Sequence, residues 1–139
     1  MYLIDTNVIS EARKGARANA GVLTFLKTAV QADAALFLSV VTVGELRRGV
    51  DLLRHRGDAP QAALLENWLA RLSADFARRI LPVDADVAQV WGRLRVPQPQ
   101  HALDKLIAAT ALIHGLTVVT RNTADFDGLG VRVLDPFSA

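Results

Sequence analysis

The sequence predicts an α/β fold in which helices cover a mostly parallel central sheet. Short apolar runs that suit buried strands alternate with segments of helical periodicity along the whole chain. The chain has 139 residues, 51% of them hydrophobic, and only five prolines. This length and composition favour a substantial core and argue against extensive disorder. We therefore expect a single domain that spans residues 1–139.

The first strand is expected at residues 2–4, where an apolar run ends at the polar triplet Asp5-Thr6-Asn7. Ligands of open α/β sheets bind outside the carboxyl ends of the strands, so a carboxylate at this point would face the ligand crevice. Taken alone, Asp5 is more simply explained as the cap of the following helix, and other acids at the same edge are needed to favour a site. Asn19 is expected to cap the next helix, because apolar residues recur after it at helical spacing.

The second strand is expected over residues 35–41, followed by a helix that begins near Val43. Thr42 has the position of the N-cap, and Glu45 lies three residues later, which matches a Thr-x-x-Glu capping box. Glu45 therefore has a structural explanation as well as a functional one. Residues 54–60 are expected to form a loop, and residues 62–79 a long amphipathic helix.

The carboxyl-terminal half continues the alternation of strands and helices. A proline interrupts the third strand, which favours a place at the sheet edge. Asp104 opens a helix that is apolar almost all round and is therefore expected to be buried. His114 in its last turn is expected to make a cap contact rather than bind a metal. The expected elements are a strand at 80–83, a helix after Asp84, a loop at 96–101, the helix from Asp104, and strands at 116–120 and 131–134.

The composition limits the chemistry that the chain can perform. It has no cysteine, so disulfides, thiolate metal sites and cysteine nucleophiles are excluded. Only three histidines are present, which leaves carboxylates as the main supply of metal ligands. The net charge of +2 permits an RNA or DNA partner without indicating one.

Targeting and nucleotide-binding signals are missing from the sequence. It shows no secretory signal and no apolar run of the length that a membrane helix needs, so we expect a cytoplasmic protein without membrane contact. It also lacks the glycine-rich loops GxxxxGK[ST] and GxGxxG of nucleotide-binding proteins.

Four acids are expected to meet at one edge of the sheet, because parallel strands end at the same edge. At an effective dielectric near 20, carboxylates about 4 Å apart repel by about 4 kcal/mol, so such a cluster needs a cation. Without histidine or cysteine in the group, the matching cation is a hard divalent ion such as Mg²⁺ or Mn²⁺. Such an ion promotes hydrolysis of phosphodiesters. The four acids are Asp5, Glu45, Asp104 and Asp125.

These residues and their spacing resemble the PIN-domain nucleases, and within them the VapC/FitB-like toxins of bacterial toxin–antitoxin pairs. Four segments carry the resemblance over nearly the whole chain: MYLIDTNVIS, SVVTVGELRRGV, DKLIAATALIHGLTVVTRNTADF and VRVLDPF. The resemblance implies a PIN-like three-layer α/β/α fold and a Mg²⁺- or Mn²⁺-dependent endoribonuclease that halts translation. It also implies a homodimer or a larger toxin–antitoxin complex, and inhibition by a cognate antitoxin that usually binds DNA.

The resemblance further implies roles for individual residues. Four acids match the family's metal-binding positions, and three polar residues match positions in the same pocket. Thr6 would orient the metal or its water from beside Asp5, whereas Lys105, next to Asp104, is given no role. The implied catalytic residues are the metal ligands Asp5, Glu45, Asp104 and Asp125, together with Thr6, Thr120 and Asn122.

Two other classes of protein remain as alternatives. A catalytically silent protein could keep the fold and bind RNA or an antitoxin, although the presence of all four acids argues against it. A receiver or an aspartyl phosphatase would be expected to have a second acid close to Asp5, where Thr6 and Asn7 stand instead. Four basic residues near the expected site suit either RNA phosphates or ordinary solvated charges: Arg13, Lys14, Arg47 and Arg48.

Overall fold

Residues 1–138 fold into a three-layer α/β/α sandwich of five strands and six helices. The computed structural model describes residues 1–138. Short 3₁₀ turns lie at Gly15–Arg17, Thr123–Phe126 and Pro136–Ser138. The strands and helices are β1 (Tyr2–Ile4), α1 (Thr6–Ala12), α2 (Ala20–Gln31), β2 (Leu36–Ser39), α3 (Val40–His55), α4 (Ala59–Asp75), β3 (Ile80–Leu81), α5 (Ala85–Leu94), α6 (Ala102–His114), β4 (Thr117–Val119) and β5 (Val133–Leu134).

The central sheet has the strand order β3-β2-β1-β4-β5, and every pair of neighbours is parallel. The expected parallel sheet and the edge position of the third strand are thus confirmed. β1 lies in the middle, where Leu3 is in register with Phe37 on one side and Val118 on the other. The carboxyl ends of β1, β2 and β4 therefore meet at one edge, and the segments that follow them leave from the same place.

Two hydrophobic clusters cover the two faces of the sheet. Leu3 points to the face that α6 covers, where it joins the cluster of Ile107 and Ala108. Ile4 points to the opposite face and joins Val8 and other residues of the first four helices. Because successive side chains of a strand alternate between faces, one short central strand anchors both layers of helices.

The beginning of α3 differs from the sequence prediction. Ser39, not Thr42, is the N-cap, and its Oγ accepts a hydrogen bond of 3.0 Å from the Val41 amide. The strand is correspondingly shorter than expected, and the capping box assigned to Glu45 is wrong. The reason is tertiary: Thr42 is fully buried inside the first helical turn, with its Oγ1 3.2 Å from that of Thr6. Glu45 thus lies in the second turn, where it caps nothing.

The other helix ends agree more closely with the pattern. Asn19 and Asp84 are N-caps as predicted, and Gly115 ends α6 in the left-handed conformation with φ of 67°. The loop expected at 54–60 is shorter, because Asp58 caps α4 and Pro60 occupies its first turn. Among residues 1–138, no helix combines the length and apolar character that crossing a membrane requires.

Helix α6 is less buried than its composition suggested. One face lies in the core, but the side chains of Leu103, Leu112 and Ile113 are exposed. Asp104 is the third residue of the helix rather than its cap, since the helix begins at Ala102 after His101. This places the Asp104 carboxylate within the first turn, at the carboxyl edge of the sheet.

Candidate metal centre

Asp5 directly follows the central strand and is 5% exposed. One carboxylate oxygen, Oδ1, accepts a hydrogen bond of 2.8 Å from the Thr6 amide and so caps α1. The other oxygen, Oδ2, accepts one of 2.8 Å from the buried hydroxyl of Thr120, which follows β4. The capping explanation and the site explanation for Asp5 are therefore compatible, because two neighbouring strands hold this carboxylate in one orientation.

Thr120 is the centre of a small network that joins the ends of β1 and β4. While it donates to Asp5, its Oγ1 accepts hydrogen bonds from Asn7 Nδ2 at 3.2 Å and from the Asn122 amide at 3.1 Å. Asn7 Oδ1 in turn accepts a bond of 3.1 Å from the Arg121 amide. Asn122 thus takes part through its backbone, and its side chain is exposed. Asn7 was not predicted to belong to the site, although it stands in the polar triplet.

Glu45 approaches the same edge from α3 and is exposed. Its Oε1 accepts a hydrogen bond of 2.7 Å from the Thr6 hydroxyl, across 39 positions of sequence. The structure therefore gives Thr6 a contact with Glu45, in addition to the amide that binds Asp5. The role of Thr6 towards a metal or its water stays a prediction.

Asp104 and Asp125 form a tight cluster together with His101. One ligand atom from each of these three side chains lies within 4.8 Å of the other two. His101 Nδ1 is 3.9 Å from Asp104 Oδ2 and 3.9 Å from Asp125 Oδ1. No set of three that includes Asp5 or Glu45 reaches this spacing within residues 1–138. The four acids share one edge, but the closest grouping contains two of them and a histidine.

The exclusion of histidine from the acidic group was wrong. His101 directly precedes α6, three residues before Asp104, and stands in the left-handed region with φ of 55°. That backbone conformation turns the chain from the proline-rich loop into the helix. The spacing of His101 and Asp104 across a helix start was the one available signal, because residues three apart share a helix face.

Burial and neighbouring carboxylates raise the pKa values of Asp5 and Asp104. The pKa of Asp104 is raised from 3.8 to about 6, first by burial and then by the charges of Asp5 and Asp125, with a smaller contribution from Glu45. His101 opposes this shift. Burial also raises the pKa of Asp5, against the hydrogen bonds from Thr120 and Thr6 that favour its ionised form. The negative charge at this edge is thus incompletely balanced by the protein itself.

The donor set fits a divalent cation. Two ligands of one Mg²⁺ ion lie at most about 4.2 Å apart, twice the bond length. The two distances from His101 are 3.9 Å and all three ligand atoms lie within 4.8 Å of one another, so a small movement of the side chains would bring them around one ion. Carboxylate oxygens suit Mg²⁺ and Mn²⁺, whereas imidazole nitrogen is typical of transition-metal sites. Asp104, Asp125 and His101 could hold one ion, with Asp5 adjacent.

Two of the four basic residues assigned to this neighbourhood already have acidic partners. Lys14 Nζ is 2.9 Å from Glu11, and Arg47 Nη1 is 2.6 Å from Glu66. Arg13 instead lines a cavity beside Thr6 and Glu45. The solvated-charge explanation therefore suits Lys14 and Arg47 better than contact with RNA.

Comparisons with known proteins agree with the fold. The family model described as PIN domain matches residues 2–130. Toxin FitB of Neisseria gonorrhoeae is 39% identical over 142 residues, which cover 99% of each chain. The VapC ribonuclease Y4jK of Sinorhizobium fredii is 32% identical over 99% of this chain and 98% of its own. The crystal structure of FitAcB from Neisseria gonorrhoeae covers all of both chains, with a TM-score of 0.85 and 38% identity.

Proposed function

The chain belongs to the PIN domain family, and from that premise we propose that it is a divalent-metal-dependent endoribonuclease, the toxin of a toxin–antitoxin pair. The substrate is RNA, the bond that is hydrolysed is the phosphodiester, and the ion is Mg²⁺ or Mn²⁺. The protein acts as a single PIN-like nuclease domain in the cytoplasm, where its substrate is found.

One observation carries the proposal: Asp104 and Asp125 lie together at the carboxyl edge of the sheet, with one ligand atom from each and one from His101 all within 4.8 Å of one another. Burial, together with the charges of Asp5 and Asp125, raises the pKa of Asp104 there to about 6. Folding brings carboxylates from separate parts of the chain together against their mutual repulsion. A cluster that only stabilised the fold would be balanced by arginine or lysine, as it is elsewhere in this protein. Perturbed acids in such an arrangement are typical of functional sites.

A divalent ion bound here would supply positive charge at the scissile phosphate and lower the pKa of the attacking water. Asp104, Asp125 and His101 would hold the ion. Asp5 would present one fixed carboxylate to the ion or its water, because Thr120 and the Thr6 amide engage its two oxygens.

Glu45 is the residue best placed to take a proton. Thr6 engages its Oε1, so the other oxygen, Oε2, can accept the proton of the attacking water. The side chain is exposed, which lets it exchange that proton with solvent after each turnover. Thr6 would then act as a positioning residue for Glu45.

The proposed partners follow from the toxins that the chain resembles. A cognate antitoxin, itself DNA-binding, would neutralise the enzyme, and the working state would be a homodimer or a larger toxin–antitoxin complex. Toxin FitB and the VapC ribonuclease are the named relatives that support this assignment.

The test is cleavage of a mixed pool of single-stranded and structured RNAs by the antitoxin-free protein, with Mg²⁺, with Mn²⁺ and with EDTA. Asp5→Asn is the informative variant, because asparagine can still cap α1 while removing the charge. Asp58→Asn is the matched control, since Asp58 is the N-cap of α4 and has no part in the site.

We expect cuts that need Mg²⁺ or Mn²⁺, that disappear with EDTA and with Asp5→Asn, and that persist with Asp58→Asn. Cleavage that survives EDTA would contradict the metal mechanism. RNA binding by the folded protein without any cuts would instead favour the catalytically silent binding protein.

A further inference from the structure

Lys105 is a buried cation that the proposed chemistry does not use. Lys105 is 7% exposed, and its Nζ donates a hydrogen bond of 2.5 Å to the carbonyl oxygen of Gln98. Within residues 1–138 no carboxylate lies within 4.0 Å of it. Lysine is almost never buried without an ionic partner, and an ammonium group carries three donors. One carbonyl therefore leaves this charge under-compensated.

A cavity of about 340 Å³ lies beside Lys105. Its volume is in the range of about 300–1,000 Å³ that is typical of small-molecule pockets. His101 and Asp125 of the metal centre line the same cavity, so it opens directly next to the proposed site of hydrolysis. A group bound in it would belong to the nucleotide adjacent to the cleaved phosphate.

The lining of the cavity suits a nucleobase better than a second phosphate. Leu94, Pro97 and Leu129 provide apolar surface that can contact the faces of a planar ring. Two carboxylates, of Asp125 and Asp127, also line the cavity and would repel a phosphate. The cavity thus combines one ammonium donor, carboxylate acceptors and apolar walls.

Guanine is the base that matches this combination. Its O6 and N7 atoms accept hydrogen bonds, and lysine to these two atoms is among the commonest specific base contacts. Its N1 and N2 groups donate, and the exposed carboxylate of Asp127 can accept from them. Adenine places an amino donor where guanine has O6, so it would oppose the ammonium group with another donor.

We propose that this cavity binds a guanine base of the RNA next to the cleaved phosphate, with Lys105 donating to its O6 and N7 edge and Asp127 accepting from its N1 and N2 edge. The proposal rests on the proposed function, because it assumes an RNA substrate. It assigns Lys105 to substrate specificity rather than to catalysis.

A binding measurement tests the proposal without depending on cleavage. The full-length, metal-free protein is titrated with guanosine, adenosine, GMP, AMP, CMP and UMP, and binding is followed by the NMR shifts of the backbone amides of Gln98, Lys105 and Leu129. The variants are Lys105→Met and Asp127→Asn, with Lys27→Met as the matched control on an exposed lysine of α2. The melting temperature of each variant is measured to show that it folds, and Lys105→Arg is included as the variant that keeps a cation. If Lys105→Met does not fold, Asp127→Asn at an exposed position of the cavity carries the test.

We expect guanosine and GMP to bind at least about fivefold more tightly than the adenine pair, and Lys105→Met or Asp127→Asn to abolish this preference. Lys105→Arg should retain the preference, because it keeps a cationic donor at this place. Equal binding of all nucleotides but not of nucleosides, lost in Lys105→Met, would show a phosphate site and overturn the proposal. Equal binding of all ligands to wild type and variants would overturn it as well.

The cut sites of the RNA pool give an independent readout. With wild-type protein and Mn²⁺, guanine should be enriched at one position next to the cut, and Lys105→Met should remove that enrichment while Lys27→Met keeps it. Cuts without such enrichment would reject the guanine cavity but leave the ribonuclease assignment intact. An absence of all cuts would reject the ribonuclease assignment, and the nucleoside titrations would still decide on the cavity.

Discussion

Two charged clusters of this molecule differ in how their charges are balanced. Between α3 and α4, Glu66 accepts charged hydrogen bonds from Arg47 and Arg54, with nitrogen to oxygen distances of 2.6 and 2.7 Å. These hydrogen bonds lower the pKa of Glu66 to about 2. At the carboxyl edge of the sheet, acids face one another, and burial and repulsion raise the pKa of Asp104 to about 6. The charged form of the carboxylate is thus stabilised at Glu66 and destabilised at Asp104.

The difference distinguishes a cluster whose charges are balanced within the protein from one whose charges are not. The α3–α4 cluster satisfies its charges internally and joins two helices on the surface, so it requires no ligand. The acidic edge is unfavourable for the isolated chain, and a cation would remove that cost. An arrangement that opposes stability is expected where function requires it. Substitutions in each cluster test whether the two differ in this way.

The largest effect is expected for Asp104→Asn. Removal of this carboxylate should reduce the rate of metal-dependent RNA cleavage at least about 100-fold, since loss of even an indirect metal contact costs about 10- to 100-fold. The same substitution should raise the melting temperature of the metal-free protein, because it removes a repelled and partly buried charge. Cleavage assays and thermal unfolding of one preparation measure both. A fall in both activity and stability would contradict this account of the acidic edge.

An intermediate effect is expected for His101→Ala. The affinity for Mn²⁺, measured by calorimetry, should fall about tenfold, and the affinity for Mg²⁺ should fall less, because imidazole favours transition-metal ions. The control is His55→Ala, an exposed histidine at the end of α3. Equal losses for the two ions would show that His101 acts by position or charge rather than as a nitrogen ligand.

A smaller effect should appear in the pH dependence of stability. The pKa of Asp104 is higher in the folded protein than its ordinary value of 3.8, so the native state binds this proton more tightly than the unfolded state. Protonation of Asp104 therefore stabilises the folded protein at low pH, and this stabilisation is lost as the pH rises from about 4 to above 6. The lowered pKa of Glu66 acts mainly between about 2 and its ordinary value of 4.5.

The measurement is the melting temperature of the metal-free wild type relative to Asp104→Asn between pH 4.5 and 7.5. The wild type should lose stability relative to the variant as the pH rises, and saturating Mn²⁺ should reverse the trend by binding the ionised form. A constant difference across this range would mean that the pKa of Asp104 is not raised.

The smallest effect is expected for Glu66→Gln. This substitution should leave Mn²⁺ affinity and RNA cleavage unchanged and lower the melting temperature slightly. The stabilisation by an exposed ion pair is small and screened by salt, so the difference should shrink in 1 M NaCl. A loss of cleavage comparable to that of Asp104→Asn would remove the distinction between the two clusters.

Most of the fold was predictable because local patterns of the sequence indicate its strands and helices. Alternating apolar runs and helical periodicity predict the parallel sheet, and Asn19 and Asp84 are the caps that their positions indicated. The start of α3 was mispredicted because Ser39 and Thr42 are both good caps, and the choice depends on packing. Thr42 is buried against Thr6, a contact that no local pattern encodes.

The acidic edge was predictable from topology, whereas its neighbours were not. Parallel strands bring their carboxyl ends together, which was enough to expect Asp5 and Asp104 in one region. The places of His101 and Lys105 depend on the path of the loop before α6 and on a left-handed residue, and both are set by tertiary packing. The catalytic roles of the seven predicted residues stay predictions.

The most direct test of the central claim is a calorimetric titration of the purified, antitoxin-free protein with Mn²⁺ at pH 7.5, comparing wild type, Asp104→Asn and Glu66→Gln. The account predicts saturable binding to wild type and to Glu66→Gln, and at least about tenfold weaker binding to Asp104→Asn. Binding of equal strength to all three proteins, or no binding to the folded wild type, would contradict it. The acidic edge would then be a costly cluster without the cation that explains it.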